Sequence, residues 1–229
     1  MSFAKNILKF YRDVTIPTGL PKGVEVLYPF DDPNVLDILD TFYEKYFNDD
    51  QRRIFLIGIN PGRFGAGVTG IPFTDPIRLK EVLDIENDFD KKAELSSKFI
   101  YQMIEALGGA KRFYQHFFFS SVSPLGFVKD GKNLNYYDQA DLMQALETYM
   151  MTNMQKKVAF GGVKQIAFAL GQGQNYKQLL KYNKQYRLFD EIKPLPHPRW
   201  VMQYRLKRLD EFIEMYVKEL EEAIANTSF

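Results

Sequence analysis

"IFLIGINPGRFGAGVTGIPF" occupies residues 54–73. Its first four residues, Ile54 to Ile57, form an unbroken apolar run of strand length, the pattern of a strand covered on both faces. The remainder, Gly58 to Phe73, holds five glycines and two prolines, with one amide, Asn60, at the strand's end. Gly65 to Gly70 matches G-x-G-x-x-G letter for letter. That motif holds a dinucleotide only when its glycines open directly into a helix. Here Gly70 is followed by Ile71-Pro72-Phe73-Thr74-Asp75-Pro76, and two prolines so close together oppose a helix. No Gly-Lys-Ser/Thr occurs either, so nucleotide binding by this loop is not expected.

On both sides of this stretch helices and strands alternate. Val35, Ile38, Leu39, Phe42 and Tyr46 fall at helical spacing behind "DDPN", where Asp or Asn caps and Pro suits the first turn. Beyond the glycine loop a helix runs through Phe99, Met103 and Leu107 and ends at Gly108. "QHFFFSSV", Gln115 to Val122, reads as a second strand, and "SPLGFVKDGKNLNYYD" as a loop. A helix follows from about Gln139 into the 150s. Ile166 to Leu170 is a third strand, and "NYKQLLKYN" a short helix. "RLFDEIKPLPHPRW" gives a fourth strand that ends in a proline-rich turn at His197. A last helix carries Leu206, Leu209, Ile213, Tyr216, Leu220 and Ile224 on one face. This alternation predicts a three-layer α/β/α sandwich around a four-stranded parallel sheet. No linker, repeat or low-complexity segment divides the chain, so residues 1–229 are read as one domain.

Composition narrows the chemistry. A formal net charge of +1 in 229 residues gives no global basic field, so any nucleic-acid contact needs a local patch. The chain has no cysteine, which excludes disulfides, cysteine-ligated zinc, iron–sulfur clusters and cysteine nucleophiles. No cluster of histidine and carboxylate at metal-ligand spacing appears, and no metal or cofactor is expected. "MSFAKNILKFYRDV" lacks the apolar core of a signal peptide, and no apolar run approaches spanning length; a cytoplasmic, membrane-free protein is expected. Twenty phenylalanines and fourteen tyrosines must mostly be core, and two histidines leave few candidates for any histidine role.

In open parallel sheets ligands bind beyond the carboxyl ends of the strands. Three polar segments are expected there: Asn60 onward, Ser120 to Leu125, and Pro196 to Trp200. Asn60, Phe73, Ser121, Ser123, His197, Arg199 and Trp200 would then converge. Each has a plainer role when taken singly. Asn60 closes a turn, Phe73 is core, the serines bond backbone, and Trp200 packs the last helix. Arg205, Lys207 and Arg208 read as a solvated face, and His116, between apolar residues in a strand, as structural. A small-molecule or ester hydrolase would pair a serine with His197, although no G-x-S-x-G elbow is present. A non-catalytic module that binds DNA lesions is the other alternative.

Three of these segments, in this order, resemble a known family. "GINPGRFGAGVTGIPF" resembles the first active-site motif of the single-strand-selective monofunctional uracil-DNA glycosylases, within the uracil-DNA glycosylase superfamily. "HFFFSSVSPL" with "GKNL" resembles their central segment, and "PLPHPRW" their second motif. The set is most similar to the bacterial second-type branch. The resemblance covers residues of about 54 to about 205 and implies a monofunctional enzyme of base excision repair. Its partner would be single- or double-stranded DNA containing damaged bases, and it would act as a monomer.

The resemblance also implies roles by position. Asn60 would orient the attacking water, and His197 would stabilise the departing base. Phe73 would stack on the flipped base, and Gly62 would leave room beside it. Ser121 stands where the family usually has an asparagine that reads the base. Arg199, Trp200 and Val201 would lie at the wedge into the duplex, with Arg205 near phosphate. Asp75, in the first loop, is a secondary candidate for a base or for opposing positive charge on the sugar. With serine at 121 and space at Gly62, tolerance of hypoxanthine and xanthine beside uracil is expected. No lysine near these motifs is placed for a Schiff base, so the abasic strand would stay intact.

Overall fold

Every side chain of the strand Arg53–Gly58 is buried, so both of its faces are covered. The computed structural model, which describes residues 1–229, places it inside a four-stranded, all-parallel sheet flanked by helices. In chain order the elements are α1 (Phe3–Asp13), β1 (Glu25–Leu27), α2 (Pro33–Phe47), β2 (Arg53–Gly58), α3 (Ala66–Thr69), α4 (Pro76–Glu81), α5 (Leu95–Ala106), α6 (Ala110–His116), β3 (Phe117–Ser121), β4 (Gly126–Lys129), β5 (Lys132–Leu134), α7 (Ala140–Gly161), β6 (Gly162–Leu170), α8 (Gln174–Tyr186), β7 (Glu191–Leu195), α9 (Pro198–Tyr204) and α10 (Leu209–Asn226). The sheet is four-stranded and parallel, as the alternating pattern predicts, and its strands lie in the order β3-β2-β6-β7.

Register, more than strand count, positions the loops. Gly58 pairs with Ser121, and Leu170 with Leu195. The carboxyl ends of all four strands therefore share one edge, and the segments after them leave from that edge. The helix read behind "DDPN" is α2: the Asp32 carboxylate accepts from the Asn34 amide at 2.9 Å, with Pro33 in the first turn.

The sheet is held by aromatic packing. Phe118 of β3 meets Phe3 of α1 and Phe55 of β2, each at 5.0 Å between ring centroids, and Phe47 of α2 at 5.8 Å. The 61 buried residues of this core form one continuous cluster, so no seam divides the apolar interior. No helix is long and apolar enough to cross a membrane.

Pro76, read as opposing a helix, instead opens α4, and Leu206, read into the last helix, lies exposed before α10. Four further local expectations need correction. His116 is the last residue of α6, half-buried beside Phe229, and the strand starts only at Phe117. The loop after Ser123 contains a hairpin, β4–β5, which joins β1 in a small antiparallel sheet. Asp130 and Gly131 supply the two left-handed residues of its turn (φ 51° and 69°), as an Asp-Gly pair favours. Residues 66–69 of the glycine motif form a single helical turn ended by Gly70 at φ 73°. Gly65 faces the Glu94 carboxyl, Gly67 the Gly62 carbonyl and Leu27, and Gly70 faces Val35, so no glycine opens onto a phosphate cradle. Finally, the turn expected at His197 is the start of α9.

Phe118→Ala is expected to lower the unfolding free energy by about 3–5 kcal/mol, read from urea denaturation, with an unchanged denaturant slope.

Candidate functional site

A cleft of about 380 Å³ opens at the carboxyl edge of the sheet. It brings together Asn60, Gly62, Phe73, Ser121, His197, Arg199 and Trp200, which lie far apart in the chain. Four other sequence candidates do not line it: Asp75, Ser123, Val201 and Arg205.

Asn60 stands two residues past β2. Its Nδ2 donates to the carbonyls of Leu134, at 3.2 Å, and Pro61, at 3.4 Å. Its Oδ1 accepts from the Tyr136 amide at 3.1 Å. Both amide hydrogens are thus committed, and one oxygen lone pair remains. The group cannot rotate without breaking bonds to the chain after β5. That chain is itself held close: a Cβ on Gly126 would fall 2.3 Å from the Pro61 carbonyl oxygen, so glycine lets β4 lie against the loop.

Phe73 has φ 56°, a left-handed conformation unusual for a bulky residue and strained by about 1–3 kcal/mol. Its ring lies on the bare backbone of Gly58, where a Cβ would come within 2.8 Å of Phe73 Cζ. Phe119 supports it from the side at 5.2 Å. One half-exposed aromatic face is left toward the cleft.

His197 caps α9. Its Nδ1 accepts from the Arg199 amide at 3.1 Å, which requires that nitrogen to be unprotonated. The neutral ring therefore carries its proton on Nε2. Burial, reinforced by the Arg199 guanidinium, pushes the imidazole down to about 4. The Tyr216 hydroxyl, fully buried on α10, donates to the Pro196 carbonyl and fixes the approach to this residue.

Ser121 is nearly buried, and its hydroxyl donates to the Ser123 carbonyl at 2.6 Å. It therefore presents only lone pairs to the cleft, where the sequence allowed it to donate or accept. No serine is paired with His197, whose Nδ1 serves the helix, so the hydrolase alternative lacks its nucleophile and base. Asp75 is a correction as well. Fully buried, it caps α4: Oδ1 accepts from the Arg78 amide at 2.9 Å and Oδ2 from the Glu94 amide at 2.8 Å. It has no free oxygen turned to the cleft. Val201 is 0% exposed on the inner face of α9 and cannot act as a wedge. Trp200, 39% exposed, packs edge-on against Phe212 at 6.0 Å with the Arg205 guanidinium 4.7 Å from its ring. Arg205 thus stands on the surface beside the rim.

Sequence reasoning missed several groups. Glu94, Asn133, Asn135, Gln203 and Tyr204 line the cleft. The Asp-Gly pair between Lys129 and Lys132, with Val128 and Leu134 beyond, was the signal for the two asparagines, because it places β5 and the chain after it. Lys157, fully buried on α7, donates to Ser120 Oγ at 2.7 Å and the Ser121 carbonyl at 3.1 Å. Burial pushes its amine down to about 7. It supports the cleft from behind without lining it.

A flat aromatic face, a neutral N–H donor, a hydroxyl acceptor and an amide oxygen thus face one another. Such a set suits a planar heterocycle with carbonyl and N–H edges, with a water held on Asn60 Oδ1.

Comparison with known proteins bears on this geometry. The family described as the uracil DNA glycosylase superfamily matches residues 44–221. The crystal structure of wild-type SMUG2 from Pedobacter heparinus is similar to this chain with a TM-score of 0.95 and 40% sequence identity, over 99% of this chain and 100% of that one.

In ¹⁵N NMR spectra, His197 is expected to show a bare Nδ1 and a protonated Nε2, with no titration until the pH nears about 4. The unfolded chain takes up that proton near the ordinary 6.5 and the folded chain only near about 4. The stability contributed by this residue is therefore complete above pH 6.5 and declines as pH falls from there toward about 4.

Proposed function

The chain belongs to the uracil DNA glycosylase superfamily, and from that premise we propose that it excises uracil, and also the deaminated purines hypoxanthine and xanthine, by hydrolysing the N-glycosidic bond of a flipped nucleotide. A uracil-DNA glycosylase-type enzyme has DNA as its partner. In this reading the 229 residues act as one monomeric domain. The observation that carries the proposal is the single cleft in which neutral His197, Asn60 and Phe73 meet.

A stacked base is out of reach, so it must leave the helix at a cost of a few kcal/mol. Stacking on Phe73 offsets about 1–3 kcal/mol of that. The base departs as an anion while the sugar becomes oxocarbenium-like. His197 Nε2–H donates to the oxygen on which the negative charge gathers, and needs no proton from solvent to do so. Ser121 Oγ accepts from a ring N–H of the base.

The attacking water donates to the remaining lone pair of Asn60 Oδ1. A carboxamide is too weak a base to remove the proton, but it can aim the water at a strongly electrophilic carbon; the proton that water then sheds balances the one the departing base anion takes up. Trp200 is the best placed wedge, being exposed at the rim, with Arg199 and Arg205 toward phosphate. No lysine lines the cleft, which supports a monofunctional reaction with no lyase step.

The test is release of free uracil from an oligonucleotide under single-turnover conditions. His197→Ala is expected to slow release about 100- to 1000-fold, the loss of one preorganised donor. Asn60→Ala is expected to slow it while leaving DNA affinity nearly unchanged. The product strand should stay intact until alkali is added. Uracil DNA that is bound yet never cut by wild type would favour a lesion-binding module instead.

A further inference from the structure

The space beside Gly62 is not empty. Glu94, the last residue before α5, sends its carboxyl into the cleft. Its Oε1 lies 3.1 Å from where a Gly62 Cβ would be, and its Oε2 only 2.1 Å from where a Gly65 Cβ would be. The second distance gives Gly65 a reason to be glycine that no nucleotide motif supplies. Although Glu94 stands at a helix start, its side chain does not cap that helix. Its backbone is fixed instead through the bond from its amide to Asp75 Oδ2. Neither carboxyl oxygen has a hydrogen-bond partner within the chain, so an unpartnered polar group faces the ligand space.

We propose that Glu94 is a specificity-determining residue whose carboxyl hydrogen-bonds the part of a flipped purine that extends past Gly62, and that uracil, being smaller, does not reach it. This rests on the glycosylase reading above. A purine that keeps the same glycosidic geometry must project somewhere beyond the outline of a pyrimidine. The wall without a side chain at Gly62 is where the cleft can admit that excess. Hypoxanthine and xanthine offer oxygen and ring-nitrogen acceptors. A neutral carboxyl can serve both these acceptors and the neighbouring ring N–H, whereas a carboxylate serves the N–H alone and repels the acceptors.

The surroundings favour the neutral acid. Burial and the nearby Asp75 carboxylate push Glu94 up to about 7, opposed by the Arg199 guanidinium. These are the charged groups facing it from α4 and α9. Asp75 is itself paired with Arg78, at 3.3 Å, and His197 across the cleft is uncharged. Asn133 Nδ2, 3.6 Å from the Gly62 Cβ position, is the neutral neighbour from β5.

The experiment compares single-turnover release of uracil, hypoxanthine and xanthine by wild type, Glu94→Gln and Glu94→Ala from about pH 6 to about pH 8. Uracil release by each variant reports that it folds, and each variant is judged by its ratio of purine to uracil release. The purine-to-uracil ratio is expected to fall about three- to tenfold in Glu94→Ala, the loss of one hydrogen bond. In wild type that ratio should drop as pH rises through about 7, and in Glu94→Gln, whose amide donates at every pH, it should stay flat. A ratio unchanged in Glu94→Ala, a parallel loss on all three bases, or a wild type that releases uracil but neither purine overturns the inference. A wild type that releases no uracil overturns the glycosylase reading instead.

Discussion

The carboxamide of Asn60 ties two sheets together. Its three hydrogen bonds reach Pro61, Leu134 and Tyr136, so the end of β2 in the parallel sheet is fastened to the chain leaving the β4–β5 hairpin. Each bond is worth only about 0.5–1.5 kcal/mol. Their consequence is geometric: the side chain is locked in one orientation, and its oxygen keeps one lone pair. A residue that acts by aiming a water gains from this, because orientation is what it contributes. The hairpin that supplies the anchors also brings Asn133 and Asn135 to the cleft, and the glycines at 67 and 126 let the segments approach closely enough.

The electrostatics arise from the same crowding. His197 and Glu94 share one cleft, and burial favours the neutral form of both, moving the imidazole down to about 4 and the carboxyl up to about 7. Arg199 sits beside both, and its own backbone amide sets the histidine tautomer. Near neutral pH the cleft thus holds a neutral donor on one side and an acid poised to lose its proton on the other. Environments that move titratable groups away from their ordinary values are what divide roles among them.

Much of the site was legible in the residues. The apolar run at Ile54, the strand-helix alternation and the rule about carboxyl edges together placed Asn60, Ser121 and His197 around one site. Proline on each side marked His197 as held rigidly. What stayed hidden depended on side-chain direction and on local pairing. Asp75 looked available because sequence does not show that both its oxygens serve backbone amides. Val201 looked exposed because a turn was expected where α9 begins, and a helix turns every few residues inward. Glu94 lay in the polar stretch "DFDKKAELSSK", where nothing distinguishes a carboxyl facing a cleft from one facing solvent. Only the fold brings it against Gly62 and Gly65. Two features had overlooked local signals: Asp130-Gly131 for the hairpin, and Asp75-Pro76, a cap followed by a first-turn proline, for α4.

In the proposed reaction a nucleobase leaves the duplex, lies on Phe73 and departs as an anion whose charge meets the His197 Nε2–H. A structure of the Asn60→Ala protein bound to uracil-containing DNA tests it most directly. The uracil ring is expected to stack on Phe73, with a carbonyl oxygen about 2.7–3.1 Å from His197 Nε2. A uracil that stays in the helix, or enters a pocket out of reach of His197, would contradict it.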